Sequence, residues 1–194
     1  MFDSLPDIPR LFTALAEWGA ALVYVVVVAR SASSNALNPN AAIPRWRLAA
    51  AAVGGLVVLI GAQELLGRAP LCLWVPGMMT AYALMWGVIR VGTALDWRWV
   101  THMSARAFIV AELAASLAWQ VVLYSHADKP YWHPLSFGGF AAIAAMCLAV
   151  VYFFERRVYR QGALPILRVS DLASGVLIGI AIFALSNLSF VSTA

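Results

Sequence analysis

Six apolar stretches, each long enough to cross a hydrocarbon core as a helix, constrain this chain more than any other feature. They run at about Pro9–Ala29, Leu48–Leu66, Leu71–Ile89, Ala105–Tyr124, Leu135–Phe154 and Leu172–Val191. At about 1.5 Å per helical residue, each spans most or all of the ~30 Å interior of a bilayer. The runs are continuous, which is the pattern of helix; a membrane barrel strand alternates apolar and polar positions. Charged residues make up 11% of the chain and hydrophobic ones 63%, with a mean hydropathy of +0.83. A soluble domain carries roughly 25% charged residues. The expected fold is therefore an all-α, polytopic membrane bundle of six transmembrane helices, with residues 1–194 as a single transmembrane domain.

The thirteen positive charges are spread unevenly over the gaps between these stretches. Arg30, Arg45 and Arg47 border the first gap; Arg90, Arg98 and Arg106 the third; Arg156, Arg157, Arg160 and Arg168 the fifth. Only Arg10, Arg68 and Lys129 lie on the other side, a split of ten to three. The positive-inside rule then places the amino terminus outside and the odd gaps in the cytoplasm of a bacterial plasma membrane. The net charge of +4 is explained by membrane-edge arginines facing anionic headgroups, and no nucleic-acid partner is expected. Asp3 and Asp7 give the leader the wrong sign for a signal peptide, so the first stretch is expected to be retained. Cys72 and Cys147 read as small core residues, not a disulfide.

Several local features bear on the helix ends. Pro44 marks the entry to helix 2. Pro76-Gly77 either kinks helix 3 or delays its start to near Gly77. Asp96 to Trp99 reads as an interfacial gap, and Ser170 as the cap of helix 6 with Asp171 in its first turn.

Ionisable and polar groups within lipid are costly and so mark candidate sites. Glu112 leads, with Ser116 and Gln120 following at helical spacing as a polar core. The structural alternative for Glu112 is an ion pair with Arg90 or Arg106. Ala111 and Ala115 run alongside as a small-residue packing face. Glu17 lies in the outer half of helix 1, and Asn187 lies deep in helix 6. A local pair with Arg68 accounts for Glu64. His126, Asp128 and His133 share the largest outer loop and are candidates on the ligand side. Gly175 and Gly179 form a GxxxG motif that packs a helix within the chain or between two chains. Motifs for hydrolase, redox or nucleotide chemistry are missing, and no metal or cofactor is expected.

The run Arg106-Ala107-Phe108-Ile109-Val110-Ala111-Glu112-Leu113-Ala114-Ala115-Ser116-Leu117-Ala118-Trp119-Gln120 resembles a membrane segment of bacterial sensor histidine kinases with GHKL-type ATP-binding domains. The end of the chain, Ser186 to Val191, is similar to the last part of that membrane region. Ala118 stands where that family pattern has a second glutamate, so any role of that glutamate is not carried over. The resemblance implies a sensor or receptor domain, a homodimer, and an unknown small-molecule or peptide ligand. It also implies a cytoplasmic kinase core outside these residues; because the charge count leaves the carboxyl end outside after six crossings, at least one further helix is expected to lead to it. The competing expectation is a substrate-binding membrane subunit of a vitamin-type transporter. In that case Ala16 and Ala20 would form the contact with the coupling partner. A small structural or assembly protein of the membrane is a third possibility.

Overall fold

Prolines and two aspartates open most of the helices. The computed structural model describes residues 8–34, 43–68, 73–126, 133–159 and 168–191, and their side chains except 33, 34, 74, 125, 126 and 182–191. Among the described residues there are six helices and no strand. They are α1 (Arg10–Ser34), α2 (Arg45–Leu66), α3 (Trp74–Thr93), α4 (Trp97–His126), α5 (Pro134–Tyr159) and α6 (Val169–Val191). The all-α fold expected from the apolar runs is the fold observed. Among the described residues four helical segments are long and apolar enough to cross a membrane: Arg10–Ala32, Arg45–Leu66, Trp97–Tyr124 and Pro134–Tyr159. The described side chains of α6 form a shorter apolar helix, Val169–Ala181.

The helix ends correct several expectations. The carbonyl of Pro9 accepts from Phe12 N at 2.8 Å, and that of Pro44 from Arg47 N at 3.0 Å, so both prolines sit at helix starts. α3 begins at Trp74 and continues through Pro76 and Gly77. Proline in a first turn sacrifices no intrahelical hydrogen bond, which is why neither a kink nor a start at Gly77 is needed. α4 begins at Trp97, not near Ala105, because Asp96 accepts the Arg98 N–H on its carboxylate (3.4 Å) and the Val100 N–H on its carbonyl (3.1 Å). The expected interfacial gap is thus the first turn of a helix. Ser170 does not cap α6. Asp171 does, accepting the Arg168 N–H at 3.1 Å.

α2 contains one turn of π-helix, Ala50–Gly54. Widening a turn frees a carbonyl from the ordinary ladder. Here Trp18 Nε1 donates to Ala52 O at 2.7 Å, tying α1 to α2.

Helix ends meet in two groups. At one end Phe12 of α1 stacks on Phe140 of α5 (4.0 Å between centroids, 14° between planes), with Trp119 of α4 edge-on at 6.0 Å. The Arg10 side chain lies there against Gly67, at the end of α2. At the other end Arg30 Nη1 donates to Tyr152 Oη at 2.7 Å. Arg47 of α2 donates to the carbonyls of Val91 (2.7 Å) and Arg90 (3.3 Å) in the last turn of α3, where the ordinary ladder of the helix runs out. Successive helices therefore alternate in direction.

The core is centred on α1 and α4. α1 packs against α2, α3, α4 and α5; α4 packs against α1, α3, α5 and α6. Ala16, Ala20 and Ala21 of α1 and Ala107, Ala111 and Ala115 of α4 are all buried in one cluster. Side chains this small let helix backbones approach closely. Gly175 and Gly179 face α4: a Cβ on Gly175 would lie 3.7 Å from His102 Nδ1, and one on Gly179 would lie 4.0 Å from Ile109 Cγ1. The GxxxG motif thus seats α6 on α4 within the chain.

Candidate functional site: two polar clusters inside the bundle

The first cluster joins α1, α2 and α4. Glu17 lies seven residues into α1, about 10 Å along the axis. Its side chain and that of Gln63 in α2 are both 0% exposed. Gln63 Nε2 donates to Glu17 Oε1 at 2.7 Å. The two remaining oxygens, Glu17 Oε2 and Gln63 Oε1, are buried and have no hydrogen-bond partner. Glu112 of α4 approaches near enough for its charge to act on Glu17. Among the described residues no cation pairs with either carboxylate. Two expectations change here. Glu112 has no ion pair with Arg90 or Arg106, and Gln63 is a core residue whose neighbour Glu64 faces outward. No ion pair joins Glu64 to Arg68.

The second cluster lies toward the opposite end and joins α1, α4 and α5. Arg106 Nη2 sits 2.5 Å from Glu155 Oε1, and Tyr24 Oη donates to the same oxygen at 3.2 Å. Glu155 is 2% exposed while Arg106 is 44% exposed. The acid is thus held inside the bundle, and the guanidinium spans from it to the protein surface. Tyr159 lies buried one turn beyond Glu155. Nothing in the chain's composition or motifs had marked Glu155 or Tyr24, and Gln63 stood out only beside Glu64 at the end of helix 2. Glu155 stands in the run Glu155-Arg156-Arg157 and reads as loop, whereas α5 extends to Tyr159 and turns it inward.

α1 connects the clusters. Glu17 and Tyr24 are seven residues apart, two turns of helix, and so share one face about 10 Å apart.

The other candidates fall elsewhere. Ser116 is half-buried one turn beyond Glu112, and Gln120 is exposed, so a continuous polar core of Glu112, Ser116 and Gln120 does not form. His133 is the N-terminal cap of α5, with its Nδ1 accepting the Leu135 N–H at 3.3 Å. The side chains of His126 and Asn187, and Asp128 as a whole, lie outside the described residues. Ala16 and Ala20 are 1% and 0% exposed within the chain's own core, which leaves them unavailable as a contact for a coupling partner.

Fold and clusters together define an all-α bundle with membrane-length helices and buried polar contacts between them. No protein-family profile, no curated protein and no solved structure matches the chain.

Proposed function

We propose that this chain is a membrane-embedded sensor domain, the input part of a two-component histidine kinase. On this reading it is a homodimer in a bacterial plasma membrane, with its amino terminus outside. One observation carries the proposal: α1 bears a buried polar contact toward each end of the bundle, on one face. Glu17 joins it to α2, and Tyr24 joins it to the Arg106–Glu155 pair of α4 and α5. A small-molecule or peptide ligand that prefers one position of α1 at the outer cluster changes the geometry at the inner cluster, because one rigid helix belongs to both. Such a ligand works by its differential affinity for the two arrangements. The resemblance of Arg106–Gln120 to sensor kinases supplies the expected output, phosphoryl transfer in a cytoplasmic core.

The test is a Glu155→Gln exchange made in the native membrane. Phosphorylation of a cytoplasmic response regulator should change severalfold at an unchanged amount of chain in the membrane. Unaltered phosphorylation with altered uptake of a small solute would overturn the sensor reading in favour of transport.

A further inference from the structure

We propose that Glu17, Gln63 and Glu112 form a proton-binding site within the bundle. In it one exchangeable proton resides on Glu17 and is donated to Gln63 Oε1. The argument begins with donors and acceptors. Glu17 and Gln63 make one hydrogen bond between them and leave two buried oxygens without donors. A buried acceptor left without a donor costs roughly 1–3 kcal/mol, and a buried unpaired carboxylate costs far more. Reversing the amide only exchanges which oxygen lacks a donor. A single proton on Glu17 Oε2 removes both deficits: it supplies the missing donor, and Gln63 Oε1 is the acceptor that needs one. It also removes the negative charge that faces Glu112.

The groups around Glu17 support a proton over a metal ion. From α2 comes the neutral Gln63, and from α4 the acid Glu112. Over the same depth α3 turns Met78, Ala81 and Met85 inward, and α5 contributes Ser136, Phe140 and Ala144. On α1 itself, Arg10 lies two turns outward beside Gly67, and Tyr24 lies two turns inward on Glu155, which Arg106 neutralises. A divalent cation takes about six or more oxygens, and these side chains offer far fewer. A proton needs no added space in a core where Glu17 and Gln63 are already fully enclosed. Glu112, only half-buried, is the group through which the proton exchanges.

The experiment uses the full chain in lipid nanodiscs, read by infrared spectroscopy and thermal unfolding. At neutral pH the wild type should show the carbonyl stretch of a protonated carboxyl group, and Glu17→Gln should abolish that band. The same variant should keep its thermal midpoint within about 2 °C, because an amide copies a neutral acid in shape and hydrogen bonding. Raising the pH should remove the band from the wild type and lower its midpoint, since deprotonation leaves an uncompensated buried charge. Three results overturn the proposal. One is the absence of the band. Another is a Glu17→Gln chain that is strongly destabilised or unfolded, which would mean the negative charge was required. The third is a rise in midpoint on exchanging choline for sodium or potassium at constant ionic strength, which would mean a metal ion occupies the site.

Discussion

At the scale of single residues, the Arg106–Glu155 pair is asymmetric, and the asymmetry predicts unequal consequences. Glu155 is enclosed at 2% exposure, whereas Arg106 is 44% exposed and its long stem can carry the charge toward headgroups. Losing Arg106 strands a buried acid held only by Tyr24. Losing the acid strands a cation that can move outward. Arg106→Gln should therefore destabilise the folded chain by about 3–5 kcal/mol, the range for breaking a buried ion pair. Glu155→Gln should cost clearly less, and Tyr24→Phe about 1.5–3 kcal/mol, the range for a hydrogen bond to a charged group. Chemical unfolding in mixed micelles measures all three, and an equal loss for Arg106→Gln and Glu155→Gln would refute the asymmetry. These pairings could not be read from the chain alone. Glu17 and Glu112 were visible as acids amid apolar sequence, but Tyr24 and Glu155 are 131 residues apart. Glu155 is also masked by the arginines that follow it, and nothing local tells which of Gln63 and Glu64 turns inward.

At the scale of helices and their ends, two neighbouring positions at the end of α3 predict opposite effects of the same kind of exchange. Ala94 adopts φ 57°, the one positive φ of a non-glycine residue among those described, and its N–H closes on Arg90 O at 3.2 Å. Its Cβ is crowded in that left-handed conformation, which is why glycine usually fills this place. Ala94→Gly should raise stability by up to about 1 kcal/mol, part of the relief being lost to the freer unfolded chain. Two residues earlier, Gly92 is where α3 meets α1 and α2. A Cβ there would lie 2.7 Å from both methyls of Val25 and 3.1 Å from Ala51 Cβ. Val25 is buried and β-branched, so it cannot easily rotate away. Gly92→Ala should cost about 1–3 kcal/mol, as overpacking does. Thermal midpoints of the two variants moving in the same direction would contradict this. Pro44 announced the start of α2, because proline chemistry is local. The start of α4 was not legible: Trp97 and Trp99 are as suited to a headgroup boundary as to a first turn, and Asp96 decides between these only through its hydrogen bonds.

At the scale of the whole molecule, the ten-to-three split of cations acquires a spatial meaning. Alternation of helix direction follows from the apolar lengths, but the central place of α1 and α4 does not, since the other helices are equally apolar; only their alanine content hinted at it. The packed helices gather Arg30, Arg47 and Arg90 at one end, where Arg47 also caps α3, and Arg10 and Arg68 at the other. Arg106 is a special member of the first group. It begins nine residues into a 30-residue helix, and α4, at about 45 Å, outruns the hydrocarbon core by about 15 Å. An inward overhang of that size would put the Arg106–Glu155 pair near the inner boundary, where an arginine can reach both a buried acid and the headgroups. If the basic end faces the cytoplasm, as the positive-inside rule demands, residue 128 is outside and residue 161 inside. Single cysteines at those positions, in a chain with Cys72 and Cys147 replaced by serine, test this with a membrane-impermeant maleimide. Asp128→Cys should label in intact cells, and Gln161→Cys only after lysis. The opposite pattern would place the Arg106–Glu155 end outside, exchange the input and output ends of α1, and remove the basis for a signal passing inward through it.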